Sequence, residues 1–370
     1  MRLRKSLVVL FFLLAFSSPA KGAEKISWER VVAGAEEEGR VTLYVQSALG
    51  RKADPFEIFH KSYPGVKVSA VTATGNEITH RILTERRAGR YIADVMIGGT
   101  TTALLTLKPA GAIAPLKPAL LLPEVLDESR WWQKRLGWAD AKEPLTTLMF
   151  MGYVQTIAYV NTQLVDAKRF KSYNDILDKK WKGKIVATDI RHGGRGGIVA
   201  RFIYKHPELG PQYLERLFGE MDLTLSSDPR QMVDWLAQGK FSLALFLATD
   251  DVTSGMEKGL PVAPVPADQF KEGAPIAPGG GAVSLADRAP HPNAAGVFIN
   301  WLLSREGQAE WQRILHVPSL RTDIAKDGLY PFDIPKPGVN YINAGTEEYS
   351  RITGDEIRNL VTKALTKAGK

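Results

Sequence analysis

The sequence predicts an α/β chain of two lobes with a ligand cleft and a hinge between them. Two observations carry this. Short apolar runs alternate with stretches of helical periodicity, first from Trp28 to Leu107 and again from Tyr173 to Val265. Two extended stretches, Met151 to Asn161 and Pro278 to Leu285, stand where the chain would pass from one block to the other and return. Two crossings between two lobes make a hinge, and a hinge around a cleft suits capture and release of a ligand.

The first 23 residues read as an export signal. Arg2, Arg4 and Lys5 form a charged start, Leu7 to Phe16 is apolar, and Ser17 to Ala23 is small and polar, with cleavage after Ala20, Gly22 or Ala23. The apolar run is short for a bilayer span, so a retained anchor is the runner-up. Removing residues 1–23 also removes Lys21 and halves the net charge of +8. Charges of both signs are spread through the remainder with no long basic run, which argues against a nucleic-acid partner and leaves a small anionic ligand reasonable. The chain has no cysteine, which excludes disulfides, a thiolate nucleophile and a lipidated terminus, so stability must come from core packing.

In the first lobe, residues 24–152, Trp28 to Glu38 has helical spacing and Val41 to Val45 reads as a buried strand ending in Gln46-Ser47-Ala48. A helix from Asp54 to Tyr63, a strand from Val66 to Val71, a helix from Asn76 to Ala88 and a strand from Ala93 to Ile97 follow. Gly98-Gly99-Thr100-Thr101 then opens a helix from Thr102 to Leu107. Strands alternating with helices argue a parallel layer, whose ligands bind beyond the carboxyl ends of the strands. Ser47, Thr100 and Thr101 are therefore candidate contacts, with an ordinary polar turn and a helix cap as the alternatives. Trp131, Trp132 and Trp138 are assigned to packing.

The second lobe, residues 153–281, begins in the first crossing, where Tyr153 and Gln155 are candidate side-wall contacts. Tyr173 to Trp181 reads as helix, Lys184 to Ala187 as strand, and Ile198 to Lys205 as helix. Between the last two lies Thr188-Asp189-Ile190-Arg191-His192-Gly193-Gly194-Arg195-Gly196-Gly197. Four glycines in five positions, a helix start and two arginines suit an anion, so Arg191, Arg195 and Gly196 are candidate ligands; a solvated loop is the alternative. The turn lacks the second interval of a dinucleotide fingerprint and the Gly-Lys-Ser/Thr ending of a P-loop. Helices from Pro211 to Met221 and Arg230 to Gln238 alternate with strands Leu223 to Leu225 and Phe241 to Ala248, which end in Ser226-Ser227-Asp228 and Thr249-Asp250-Asp251. Ser227 and Asp250 are candidate readers of an amine or hydroxyl. Residues 282–370 hold the return crossing and the helices Asn293 to Leu303, Glu306 to Leu315 and Asp355 to Ala368, which pack on both lobes.

Chemistry beyond binding is poorly represented. The six histidines show no H-x-x-x-H spacing and there is no G-x-S-x-G elbow, so neither a metal site, a cofactor nor an enzyme is expected.

Tyr173-Asn174-Asp175-Ile176-Leu177-Asp178-Lys179-Lys180-Trp181-Lys182-Gly183-Lys184-Ile185, the preceding Ile157-Ala158-Tyr159-Val160-Asn161-Thr162, and Pro290 to Gln308 resemble the type 2 periplasmic solute-binding proteins of ABC transporters, in the branch that includes ferric-iron-binding proteins. The resemblance implies the type 2 periplasmic binding protein fold and a periplasmic receptor, usually a monomer, that closes on a small-molecule ligand and delivers it to a membrane permease. For iron-binding members it implies adjacent tyrosines after the strand that here reads Phe241 to Ala248. Thr249-Asp250-Asp251 stands there instead. A small, anionic organic solute is therefore expected; ferric iron with a synergistic anion, and a sensory partner of a histidine kinase, are the alternatives.

Overall fold

The computed structural model describes residues 27–46, 56–192, 196–352 and 354–370; the export segment expected over 1–23 lies outside them. Helix α1 (Trp28–Glu38) starts where the Ser27 hydroxyl accepts the Arg30 N–H at 3.3 Å and stops at Gly39, whose φ of 67° is open to glycine. Strand β1 (Arg40–Gln46), α2 (Glu57–Ser62) and β2 (Lys67–Ala73) follow, then α3 (Gly75–Arg87), opened by a Thr74/Glu77 capping box, and β3 (Val95–Gly98). Helix α4 (Thr100–Thr102) runs into a wider π turn over Ala103–Leu107, so the helix begins two residues before the expected Thr102. Short pieces β4 (Ile113–Ala114), α5 (Pro123–Leu126) and β5 (Thr147–Met149) complete this part.

The crossing expected as one long strand over Met151 to Asn161 is two strands in two sheets: β6 (Tyr153–Val154) and β7 (Ala158–Asn161). The ladder is interrupted between them because the Thr156 hydroxyl bonds the Val265 carbonyl at 2.6 Å while the chain changes partners. Lobe 2 then contains β8 (Ile185–Thr188), α6 (Gly197–Lys205), α7 (Gly210–Glu220), β9 (Thr224–Ser226), α8 (Pro229–Ala237), β10 (Leu243–Leu245), α9 (Thr249–Glu257) and β11 (Val262–Pro264). The helix expected over Tyr173 to Trp181 is instead two 3₁₀ turns. Ser172 and Asp178 each accept a backbone N–H two residues on, at 3.1 and 3.0 Å, and Asp178 is extended at ψ 131°, which breaks the helix between them. The strand expected over Phe241 to Ala248 keeps only its centre, because Phe246 adopts φ 61° and turns the chain out of the sheet.

The chain returns through β12 (Ala274–Ala277) and β13 (Ala282–Ala286) to α10 (Pro292–Leu303), α11 (Arg305–Leu315), β14 (Tyr341–Asn343), α12 (Glu347–Ser350) and α13 (Gly354–Lys367). Helix α10 is buried on every side, from Ala294 to Leu303, so it is a central rather than a one-faced helix.

The lobes are two separate sheets. The first runs β2-β1-β3-β13-β4, with β5 also on β13; the second runs β11-β7-β10-β8-β9. Both are mixed rather than purely parallel, since β13 opposes β3 and β7 opposes β10. Each is covered on both faces, as the period-2 alternation of a strand requires. Leu43 and Val45 join one core with α1 and α10, while Tyr44 joins Ile78 and Ile82 of α3 on the other face. In lobe 2, Ile185 and Ala187 pack with α6 and α7, and Val186 with Met232 and Leu236 of α8. Trp131 is fully buried and Trp132 and Trp138 pack against the first core, in keeping with the packing role expected of them.

The two crossings hold each other. In a small third sheet β6 pairs with β12, and β12 with β14. Just before it, the Phe150 and Met151 N–H groups both donate to the Gly281 carbonyl, at 2.8 and 3.2 Å. A methyl at Gly281 would stand 2.4 Å from the Met151 Cβ. Gly281→Ala is therefore expected to lower stability by about 1–3 kcal/mol through overpacking, read as the midpoint of urea denaturation, and an unchanged midpoint would show that the crossings can separate freely.

Candidate functional site

Strands β8 and β10 are parallel neighbours, with Ala187 opposite Leu245, so the helices that follow them start at one edge of lobe 2. The chain after β8 passes close to Phe246: a Cβ on Gly196 would come within 2.7 Å of the Phe246 Cβ. Only glycine fits there, and α6 consequently begins at Gly196-Gly197 with no side chain capping its first N–H groups.

One turn into α6, Arg201 folds its guanidinium back toward that start. Its Nη1 lies 3.5 Å from the place a Gly197 side chain would occupy, and its buried Nε has no hydrogen-bond partner. Burial alone pulls its pKa below the usual arginine value, with no carboxylate to offset it. The signal for Arg201 in the sequence is its four-residue spacing from Gly197, which puts both on one helix face.

Of the turn's own candidates, Arg195 lies outside the described residues and Gly196 takes the structural position just given. Arg191 is engaged within the turn. Its Nε and Nη2 grip Asp189 at 2.8 and 2.6 Å, and its carbonyl accepts Arg358 Nε at 2.9 Å. A bidentate pair of this kind holds the turn's shape and already neutralises its guanidinium.

Ser47 also lies outside the described residues, but its neighbour Gln46 organises the lobe 1 edge. The Gln46 Oε1 accepts the Gly99 N–H at 3.0 Å, and its side chain covers Gly75 and Gly98, where a Cβ would come within 2.9 Å of the amide carbon and 2.7 Å of the Gln46 Cβ respectively. Thr100 is buried at the start of α4, while Thr101 is exposed, its hydroxyl 3.2 Å from that of Ser350 in α12. Helix α12 touches both α4 of lobe 1 and α6 of lobe 2, and Glu348 pairs with Lys205 of α6. The two edges thus lie on opposite sides of one short helix.

A cavity of about 300 Å³ opens between α9 of lobe 2 and the end of α11. Asp250, Thr249 and Thr253 line it from α9; Tyr153 and Gly279 line it from the two crossings; His316, Tyr330 and Asp333 close it from the C-terminal side. Tyr153 accepts Gln155 Nε2 at 2.8 Å, and the buried Gln155 Oε1 has no partner. Asp333 is 7% exposed and its Oδ1 is also unpartnered. Burial, and then the charge of Asp250, push its pKa up to about 7. Asp251 turns away to accept the Ala248 N–H at 3.3 Å, capping α9. Ser227 is exposed beyond edge strand β9 and does not line the cavity. Asp333 and Tyr330 lie in irregular segments with no periodicity and His316 is the left-handed residue that ends α11, so nothing in the sequence marks them as site residues.

Among the described residues, no three His, Cys, Asp or Glu side chains are grouped to hold a metal, and no helix is long and apolar enough to cross a membrane. A family model described as "Bacterial extracellular solute-binding protein" matches residues 42–309. No curated protein matches the sequence. Among solved structures, a Trichodesmium protein (IdiA, FutA) in complex with iron and citrate superposes with a TM-score of 0.64 at 18% identity, over 88% of this chain and 99% of its own. The Actinobacillus pleuropneumoniae periplasmic binding protein AfuA, with exogenous fructose-6-phosphate bound, gives 0.58 at 18% identity over 90% and 99%. The Mannheimia haemolytica ferric iron-binding protein A, in an open conformation, gives 0.65 at 14% identity over 88% and 98%. At such identities the likeness is one of fold.

The raised pKa of Asp333 has a consequence for stability. The folded state holds this proton more tightly than the unfolded chain, so its contribution is full below about pH 4 and is lost as pH rises through about 7. Asp333→Asn is expected to flatten that fall and leave the variant more stable than the parent at pH 8, as read by denaturation midpoints from pH 4 to 8.

Proposed function

We propose that this chain, which belongs to the bacterial extracellular solute-binding protein family, is the solute-capturing component of an ABC importer and that its solute is a small organic anion. It acts in the periplasm as a monomer and hands its ligand to the membrane permease. The observation that carries the anionic solute is Arg201. A desolvated guanidinium with a partnerless Nε, beside an uncapped helix start on two glycines, leaves a positive site whose natural complement is an anion. Arg195, adjacent in the chain to Gly196, adds a second cation, and Thr100 and Thr101 supply hydroxyls from the facing lobe.

The bound organic phosphate of the Actinobacillus protein is in keeping with an organic anion on this fold. Ferric iron is the weaker alternative. Where the resemblance implies adjacent tyrosines, Thr249-Asp250-Asp251 stands here, and among the described residues no three His, Cys, Asp or Glu side chains are grouped to hold a metal.

Screening phosphorylated sugars, carboxylates and neutral sugars by thermal shift is expected to give stabilisation by anions, of about 2.7 kcal/mol at a hundred times Kd. Arg201→Ala should weaken the best anionic ligand by about tenfold or more, and Arg195→Ala should weaken it further, both read by calorimetric titration. If no anion stabilises the protein, or Arg201→Ala binds as the parent does, the anion reading fails. Stoichiometric iron in the purified protein would favour the alternative.

A further inference from the structure

The edge of lobe 2 opposite the α6 and α9 starts has a chemistry of its own. Strand β7 runs antiparallel to β10, and β10 parallel to β8, so the chain leaving β7 at Asn161 and the chain entering β8 at Ile185 meet at one edge. The link between them, residues 162–184, carries seven lysines and arginines against three aspartates. Lys240, just before β10, adds another cation at that edge. The three acids serve the backbone. Asp166 accepts the Lys168 N–H at 2.9 Å, Asp175 those of Lys171 and Ser172 at 2.6 and 2.9 Å, and Asp178 that of Lys180 at 3.0 Å. Of the seven cations, only Lys180 forms an ion pair among the described residues, with Asp178 at 2.8 Å.

Apolar groups stand beside these cations. Leu164 is 56% exposed and borders, with Trp181, Pro264 and Pro266, an open groove of about 590 Å³ that Lys168 and Arg169 also line. The Trp181 ring is stacked on Phe170 at 5.8 Å, and its Nε1 donates to the Asp175 carbonyl at 3.1 Å, which holds the indole in place.

We propose that this edge of lobe 2 docks on an anionic lipid surface, with its lysines at the headgroup phosphates and Leu164 in the boundary between headgroups and chains. Six of the seven cations in residues 162–184 are lysines, flexible point charges that suit a fluid array of phosphates. A protein partner with fixed carboxylates would favour the planar fork of arginine instead. Exposed apolar side chains within a basic surface are the combination that interfacial segments use, and an indole with a polar edge suits the same depth. Each lysine near an anionic leaflet contributes about fivefold to partitioning, so several acting together give a reversible attachment. Docking by this edge leaves the carboxyl ends of β8 and β10, where α6 and α9 start, uncovered. The inference goes beyond the proposed function and does not rest on the nature of the solute.

Co-sedimentation of the exported form of the protein with vesicles tests it. At low salt the parent is expected to bind mixed phosphatidylcholine and phosphatidylglycerol about tenfold or more tightly than phosphatidylcholine alone, and to lose that preference at about 1 M salt. Lys168→Glu with Lys179→Glu should weaken binding about tenfold or more, and Leu164→Ser several-fold with the salt dependence kept. Lys67→Glu with Lys142→Glu makes the same change in net charge on exposed lysines of lobe 1 and should bind as the parent does. Equal loss in the two double variants assigns the binding to net charge and overturns the proposal. So does a parent without preference for phosphatidylglycerol. Tighter binding to polyglutamate than to the mixed vesicles, indifferent to Leu164→Ser, identifies an acidic chain as the partner and overturns it as well. All five substituted positions are exposed, and an unchanged cooperative melt shows that a loss is not a folding failure.

Discussion

Everything about the site depends on how the two crossings are tied. Two consecutive N–H groups, from Phe150 and Met151, donate to one carbonyl at Gly281, and β6 pairs with β12 a few residues further on. That junction ties the two crossings together where the chain passes between the two sheets. A glycine is required because Met151 fills the space its side chain would need. Loosening the junction would leave both cores intact, yet the groups that the sheets deliver would no longer converge on one space.

The converging groups are divided by charge. On the α6 side, a glycine helix start and Arg201 make a positive, partly desolvated corner. On the α9 side, Asp250 and the buried Asp333 line the cavity. Leaving Arg201 Nε and Asp333 Oδ1 buried without hydrogen bonds is unfavourable, whereas Arg191 is paired internally with Asp189. The turn shows both solutions within ten residues. Arg191 is paired where it shapes the loop, and the buried Nε of Arg201 has no hydrogen-bond partner among the described residues.

Much of this was legible in the sequence, and the limits have physical causes. Period and capping located the helices and strands of both lobes, because a strand covered on both faces and a capped helix leave strong local patterns. Tyr173 to Trp181 misled because Ser172 and Asp178 satisfy backbone groups in short turns that compete with a helix whose apolar spacing looks sound. Met151 to Asn161 misled because an apolar run does not say which sheet it joins. The glycine-rich turn was recognised as a place for an anion from its residue types. The unpartnered Nε of Arg201 was not readable, since the absence of a partner is a property of the folded surroundings. Asp333 was invisible for the same reason: its burial is made by segments far apart in the chain, and no local pattern announces a carboxylate brought against α9 from outside the second lobe.

Strand β13 lies between β3 and β4 at the heart of the first sheet, although nearly 170 residues of chain separate it from β4. Its position sets an order of events. While the amino-terminal half is being made, β3 has an open edge and α10 is absent from beneath the sheet, so that half cannot bury its core alone. The second lobe draws mainly on a continuous stretch of chain and is able to collapse earlier, with α13 added last. The lobe that starts first in the chain is thus the one completed late, and a molecule halted midway would display an unpaired strand edge until the returning segment arrived to cover it.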